Sequence, residues 1–288
     1  MVSVTHLPRI MGSHGRYWYC EYHRGVIRPR TPRREQLGEF LGARRRSASR
    51  TALGLPLSAR RSDTGLSREE VATLAGVSGS WYTWLEQGRD INVSRQVLVA
   101  VSRVLALTAD ETEYVLALAE QEAGPSAPDR DSVPVHLQRL VDALDFPAFV
   151  VATDWAIAGW NPRYAWLYPR IATLDVADRN LLWLIYTDPE LREMLPDWAR
   201  DSRRFLAEFR AEAGVRLGAP RHRALVDRLL ASSLDFREQW SELEVSRFAS
   251  RRRMFRHREE GLLAFDHHRL VPSDAVDLHV VMYVPAAD

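Results

Sequence analysis

The sequence reads as two domains: an all-α N-terminal one of about five helices built on a helix-turn-helix, then an α+β one with an antiparallel sheet. Three observations predict this. The stretch Ser67–Gln87, SREEVATLAGVSGSWYTWLEQ, puts small and apolar residues at the offsets that two crossing helices need. A Pro-rich polar run, Gly124-Pro-Ser-Ala-Pro-Asp-Arg-Asp, then separates two differently patterned halves. After it, short apolar segments of strand type bracket a long helical region.

Each element follows from local signals. Residues 1–30 show no sustained periodicity, contain a second possible start at Met11, and are read as an extension without assigned function. Residues 33–46, RREQLGEFLGARRR, align Leu37, Phe40 and Leu41 on one helix face, with arginines at the C-terminal end where cations suit the helix dipole. From Ser47 to Gly65 the chain is expected to be a loop. Ser67 with Glu70 forms a capping box, and Leu66 is placed to staple on Val71. Ala72 is the small residue at the helix crossing and Gly76 the turn position that favours a positive φ. Gly88 stops the second helix of the motif; Ser94 caps a fourth helix, and Thr108 with Glu111 caps a fifth. The boundaries are therefore 31–123 for the helical domain, 124–134 for the linker and 135–288 for the second domain.

The second half opens on an amphipathic helix, Val135–Leu144, followed by a hairpin of Phe149-Val-Val-Ala and Ile157-Ala-Gly-Trp. Residues 163–240 read mostly helical. Strands return at Arg253–His257, Leu262–Val271 and Leu278–Val284, which gives an antiparallel sheet with helices on one side.

Composition narrows the function classes. The 288 residues carry a net charge of +1, but residues 1–123 hold 17 Arg against 13 acidic residues, and residues 124–288 hold 22 against 25. Ten arginines between Arg28 and Arg61 face only Glu35 and Glu39. Such a cluster beside a helix-turn-helix suits phosphate contacts, so Arg44, Arg45, Arg46, Arg60, Arg61 and Arg68 are candidates for a DNA backbone, and Ser78, Gly79, Ser80, Thr83 and Trp84 for base edges of double-stranded DNA. One half-site per chain implies a homodimer on a two-fold operator. The single Cys20 excludes an internal disulfide framework, and with His23 it gives too few ligands for a zinc site. No 18-residue apolar run or secretory signal is present, so no membrane partner is expected and the localisation is read as cytoplasmic. No GxSxG, Walker, HExxH or CxxC motif occurs, and His267 and His268 point to opposite strand faces; no enzyme, metal or cofactor is expected.

The segments GLSREEVATLAGVSGSWYTWLEQGRDINVS, AGWNPRYAWLY, RNLLWLIYTDPELREMLPDW and FRHREEGLLAFDHHRL resemble the MmyB-like transcriptional regulators of actinobacteria, whose helix-turn-helix is of the XRE class. The run Trp81–Arg89, WYTWLEQGR, narrows the likeness; Arg68 departs from the Gln common at its position, and Gly79-Ser80 from bulkier recognition residues. The resemblance implies a PAS-like C-terminal domain that binds a small apolar ligand such as a fatty acid. Six of the nine tryptophans lie between Trp155 and Trp240, and Phe149, Trp160, Trp166, Trp183 and Trp198 are candidate cavity walls, with Asn161 and Arg179 to orient a polar head. The competing reading is a packed aromatic core that serves as a ligand-free protein-interaction module.

Overall fold

The computed structural model describes residues 31–56, 65–119, 133–214, 216 and 219–287. The expected extension, most of the linker, and Arg60 and Arg61 lie outside the described residues. Five helices form the N-terminal part: α1 (Pro32–Ser47), α2 (Arg68–Ala75), α3 (Gly79–Glu86), α4 (Arg95–Val104) and α5 (Ala109–Ala119). Their starts are fixed by the local chemistry read above. The Ser67 hydroxyl accepts from Glu70 N while the Glu70 carboxylate accepts from Ser67 N; Thr108 and Glu111 repeat this exchange at α5, and the Ser78 and Ser94 hydroxyls cap α3 and α4 by accepting from Trp81 N and Val97 N. The turn between α2 and α3 is set by Gly76 at φ 71°, with empty space where a Cβ would stand, so glycine serves the backbone there and not the packing. Leu37, Phe40, Leu41, Val71, Tyr82, Leu98, Val101 and Val115 close the core.

The second part runs α6 (Val135–Asp142), β1 (Ala148–Ala152), β2 (Ile157–Trp160), then α7 (Pro162–Leu167), α8 (Leu181–Thr187), α9 (Pro189–Met194), α10 (Trp198–Ala213), α11 (Pro220–Ser232) and α12 (Leu234–Ser241), and ends with β3 (Arg251–His257), β4 (Gly261–Leu270) and β5 (Leu278–Pro285). The sheet order is β2-β1-β5-β4-β3, antiparallel throughout. Two strands, a helical insertion and three strands thus form one sheet, as the pattern predicts.

Helices cover both faces, however, not one. Phe149, Val151, Phe255, Phe265, Val281 and Tyr283 face the helical insertion, whereas Ala148, Val150, Leu278 and Val280 meet Leu137 and Val141 of α6 on the opposite face. The sequence carries the reason: β1 is an unbroken apolar run, which suits a strand buried on both sides.

Candidate functional site

The outward side of α3 gathers the candidate base-reading residues. Ser78 and Ser80 are exposed and Thr83 half-buried, and Trp84 stands 43% exposed, with the Arg89 guanidinium 5.9 Å from its ring centroid. The opposite side of the helix, Tyr82 and Leu85, is in the core.

The candidate phosphate contacts are largely occupied inside the fold. Glu86 accepts from Arg45 Nε and Nη2 at 2.7 and 2.8 Å and from Arg68 Nη2 at 2.8 Å, tying α1, α2 and α3 together. Arg45 also donates to Leu66 O at 2.7 Å. Arg44 pairs with Glu111 at 2.8 Å and donates to Leu243 O at 2.9 Å, in the second half of the chain. Arg46 is exposed, and Arg68 keeps 42% of its side chain in water while paired. Sequence reading missed Glu86 as the hub, since its partners lie 41 and 18 residues away. It also left Arg89 out, although Arg89 follows the stop glycine directly.

The five aromatic ligand candidates belong to one core or pack against it, and their surroundings differ. Phe149 is fully buried against Tyr164 and Tyr283. Asn161 is fully buried too: its Oδ1 accepts from Ala148 N and Tyr164 N, and its Nδ2 donates to the carbonyls of Val141, Leu144 and Phe146, so its capacity is spent on joining α6, β1 and α7. Arg179 lies over Trp160, Arg228 over Trp183 and Arg192 over Trp198, each cation covering an indole. Trp198 also donates to Ile185 O at 2.8 Å.

Trp166 lines a cleft of about 660 Å³ between α7, α9 and the β3–β4 turn. Leu167, Tyr168, Pro169 and Met194 extend the apolar wall, and Arg170, Arg256 and Arg258 stand among the polar lining residues with Glu190, Glu193 and Glu259. Trp166 stacks on His257 at 4.3 Å between centroids. The His257 Nδ1 accepts from Glu259 N and Glu260 N, which places its proton on Nε2, and Nε2 donates to Trp166 O at 3.1 Å. The indole is thereby fixed from below. Arg170 is held by Asp188 at 2.6 Å. The Tyr168 hydroxyl is buried beside Asp188; burial first, then the charge and hydrogen bonding of Asp188, push the phenol well above its ordinary pKa, so it remains a donor at any physiological pH. The sequence signal for this cleft was the alternation of β3, which puts His257 on the buried side with Arg253 and Phe255.

Among the described residues no group of three or more His, Cys, Asp or Glu is arranged to hold a metal ion, and no helix is long and apolar enough to cross a membrane. Residues 36–115 match a helix-turn-helix domain family, and residues 133–288 match the MmyB-like transcription regulator ligand binding domain. No curated protein matches the chain. The C-terminal match covers more than half of the sequence and accompanies a capped helix-turn-helix, so the chain belongs to the MmyB-like transcription regulators.

Proposed function

We propose that this regulator acts in the cytoplasm as a homodimer, reads a two-fold operator with α3 of each copy, and responds to a small amphipathic molecule, such as a fatty acid, held in the cleft beside Trp166. The observation that carries the DNA reading is the outward side of α3, where Ser80, Thr83 and Trp84 stand free of the core on a helix whose other side is buried. Arg89 lies beside Trp84, and with Arg46, which is exposed, and Arg68, 42% exposed while paired with Glu86, it supplies positive charge for phosphates.

The test uses DNA upstream of the chain's own gene. Wild type is expected to bind it with an affinity that falls steeply as salt rises. Ser80→Glu places a carboxylate against the duplex and is expected to abolish binding without lowering the melting temperature, since an acidic residue suits the first turn of a helix. Equal affinity of wild type and Ser80→Glu would sink the assignment. A complex whose mass holds one chain per operator would refute the dimer.

For the ligand, apolar walls and a rim that mixes Arg170, Arg256 and Arg258 with Glu190, Glu193 and Glu259 suit an apolar tail with a polar head, and Arg256 is the cation available to a carboxylate. Added long-chain fatty acid is expected to raise the melting temperature and quench Trp166 emission, and Met194→Arg to remove both effects. Unchanged melting and emission with wild type would leave the domain as an interaction module. The full burial of Phe149 and the covered faces of Trp160, Trp183 and Trp198 support that second reading.

A further inference from the structure

Helix α3 reads GSWYTWLE. Tyr82 and Leu85 face the core and Glu86 is bound to Arg45 and Arg68, which leaves Gly79, Ser80, Thr83 and Trp84 to face outward. The helix contains no Arg, Lys, Asn or Gln. It therefore lacks the long polar side chains that read guanine or adenine through paired hydrogen bonds. In their place stands an indole, 43% exposed on the outward side of the helix, with the Arg89 guanidinium 5.9 Å from its ring centroid.

Gly79, one turn earlier, is kept small although nothing in the fold requires it. A Cβ built on Gly79 meets nothing within 4 Å, and its φ is not in the left-handed region. Alanine or a larger residue fits there and would favour the helix by up to about 1 kcal/mol. Gly38 and Gly88, by contrast, are needed, since a Cβ would stand 2.3 Å from Glu86 O and 2.9 Å from Arg34 O respectively. Gly79 and Ser80 lie one turn ahead of Thr83 and Trp84 on the same side of the helix. They form a clearance through which another body can approach the indole.

We infer that Trp84 is the base-reading residue of this head and that it reads C5-methyl groups of pyrimidines in the major groove, with the Thr83 methyl beside it and Gly79 kept bare so that the helix can sit deep enough. The inference rests on α3 being the element that enters the groove. Specificity is then apolar: thymine and 5-methylcytosine are accepted alike, and cytosine and uracil are disfavoured.

The experiment takes the bound upstream fragment, narrowed by footprinting, and replaces its thymines one at a time with deoxyuridine, which removes only the methyl group. Wild type is expected to lose about three- to tenfold in affinity at one or two positions per half-site, the scale of one buried methyl against a well-packed partner. Trp84→Ala is expected to bind more weakly overall and to ignore uracil at those same positions, while its melting temperature holds. Gly79→Leu is expected to melt no lower than wild type and to lose at least about tenfold in operator binding, because a branched side chain fills the clearance. Tight wild-type binding that tolerates uracil at every position overturns the methyl reading and leaves the DNA head intact. Uracil sensitivity that persists in Trp84→Ala overturns the role of Trp84. Failure of wild type to bind any upstream fragment removes the underlying DNA reading, a result distinct from the other two.

Discussion

Glu86 shows how far a residue's role departs from its place in the sequence. It sits in the last turn of α3, yet its carboxylate is only 4% exposed and holds Arg45 and Arg68 at once. Burial works against its charge, but the hydrogen bonds and charges of the two arginines outweigh this and hold its pKa below the ordinary 4.5. Glu70 behaves alike: the bidentate Arg50 bond and the Ser67 backbone N–H bring it down to about 2. Both carboxylates are more acidic folded than unfolded. Their stabilisation is present above about 4.5 and is lost as pH falls toward 2. Melting of the helical part is expected to decline across that window, as followed by circular dichroism, and Glu86→Ala, which strands Arg45 beside the core, is expected to cost toward the lower end of roughly 3–5 kcal/mol at neutral pH. The arginine cluster was legible in the sequence as a charge excess. Which arginines are tied into the fold was not, because the carboxylates that hold them come from distant positions and only the folded chain brings them together. In the sheet domain acid acts earlier. Burial lowers the pKa of His222 and His267, and His267 accepts from Arg253 Nε at 2.8 Å through Nδ1, so a proton there would remove the acceptor. These histidines are less basic folded than unfolded, and stability is expected to fall as pH drops below the ordinary 6.5, less so in His267→Gln.

The elements divide by how local their causes are. Caps at Ser67, Ser78, Ser94 and Thr108 act within three residues, and each could be read directly. Faces that depend on a partner could not. Helix α1 crosses the end of α3 so closely that a Cβ on Gly38 would meet Glu86 O at 2.3 Å, a backbone atom that cannot swing aside. In the sequence Gly38 is only a glycine inside a helical pattern, a mild flaw. Gly38→Ala is expected to destabilise by about 1–3 kcal/mol through overpacking, despite the better helix propensity of alanine. Gly79→Ala, with open space around it, is expected to be neutral or stabilising. Urea denaturation of the two variants side by side checks the contrast, and equal costs would show that helix propensity and not the α1–α3 crossing governs both. The same dependence on partners explains the ligand candidates: aromatic type marks burial well, but whether a ring packs in a core or lines a cleft is decided by what lies across from it, and Trp166 faces the cleft.

At the scale of the whole molecule the two halves are joined by a segment neither pattern announced. After α12 the chain turns at Leu243, which has φ 53°, and crosses to the five-helix core, where Leu243 and Val245 pack. Arg44 of α1 holds Leu243 O, and Arg247 donates from its backbone to Asp110 of α5 at 2.8 Å and pairs with Glu113. The other end is held by Arg210 of α10, fully buried, which donates to Trp240 O at 2.7 Å and Glu244 O at 2.8 Å and lies over the Trp240 ring. Burial lowers its pKa to about 10, which still leaves it charged at neutral pH. Helix α10 also carries the bonds to the sheet, Asp201 toward Arg253, Glu208 to Arg251, and Glu212 to Arg269 and His279. A shift of α10 against the sheet would therefore pull on the segment that grips α1 and α5, and through α1 on α3, which packs against it. Arg210→Met keeps the length of the side chain but leaves two carbonyls without their donor, each costing about 1–3 kcal/mol where it remains buried. Residues 242–250 are expected to exchange their amide hydrogens at least about tenfold faster in this variant than in wild type. The two halves are then expected to melt in separate transitions, with operator affinity of the helical part retained and its dependence on ligand lost. Unchanged exchange of 242–250 in Arg210→Met would show that the segment is held by the five-helix core alone and that α10 does not govern it.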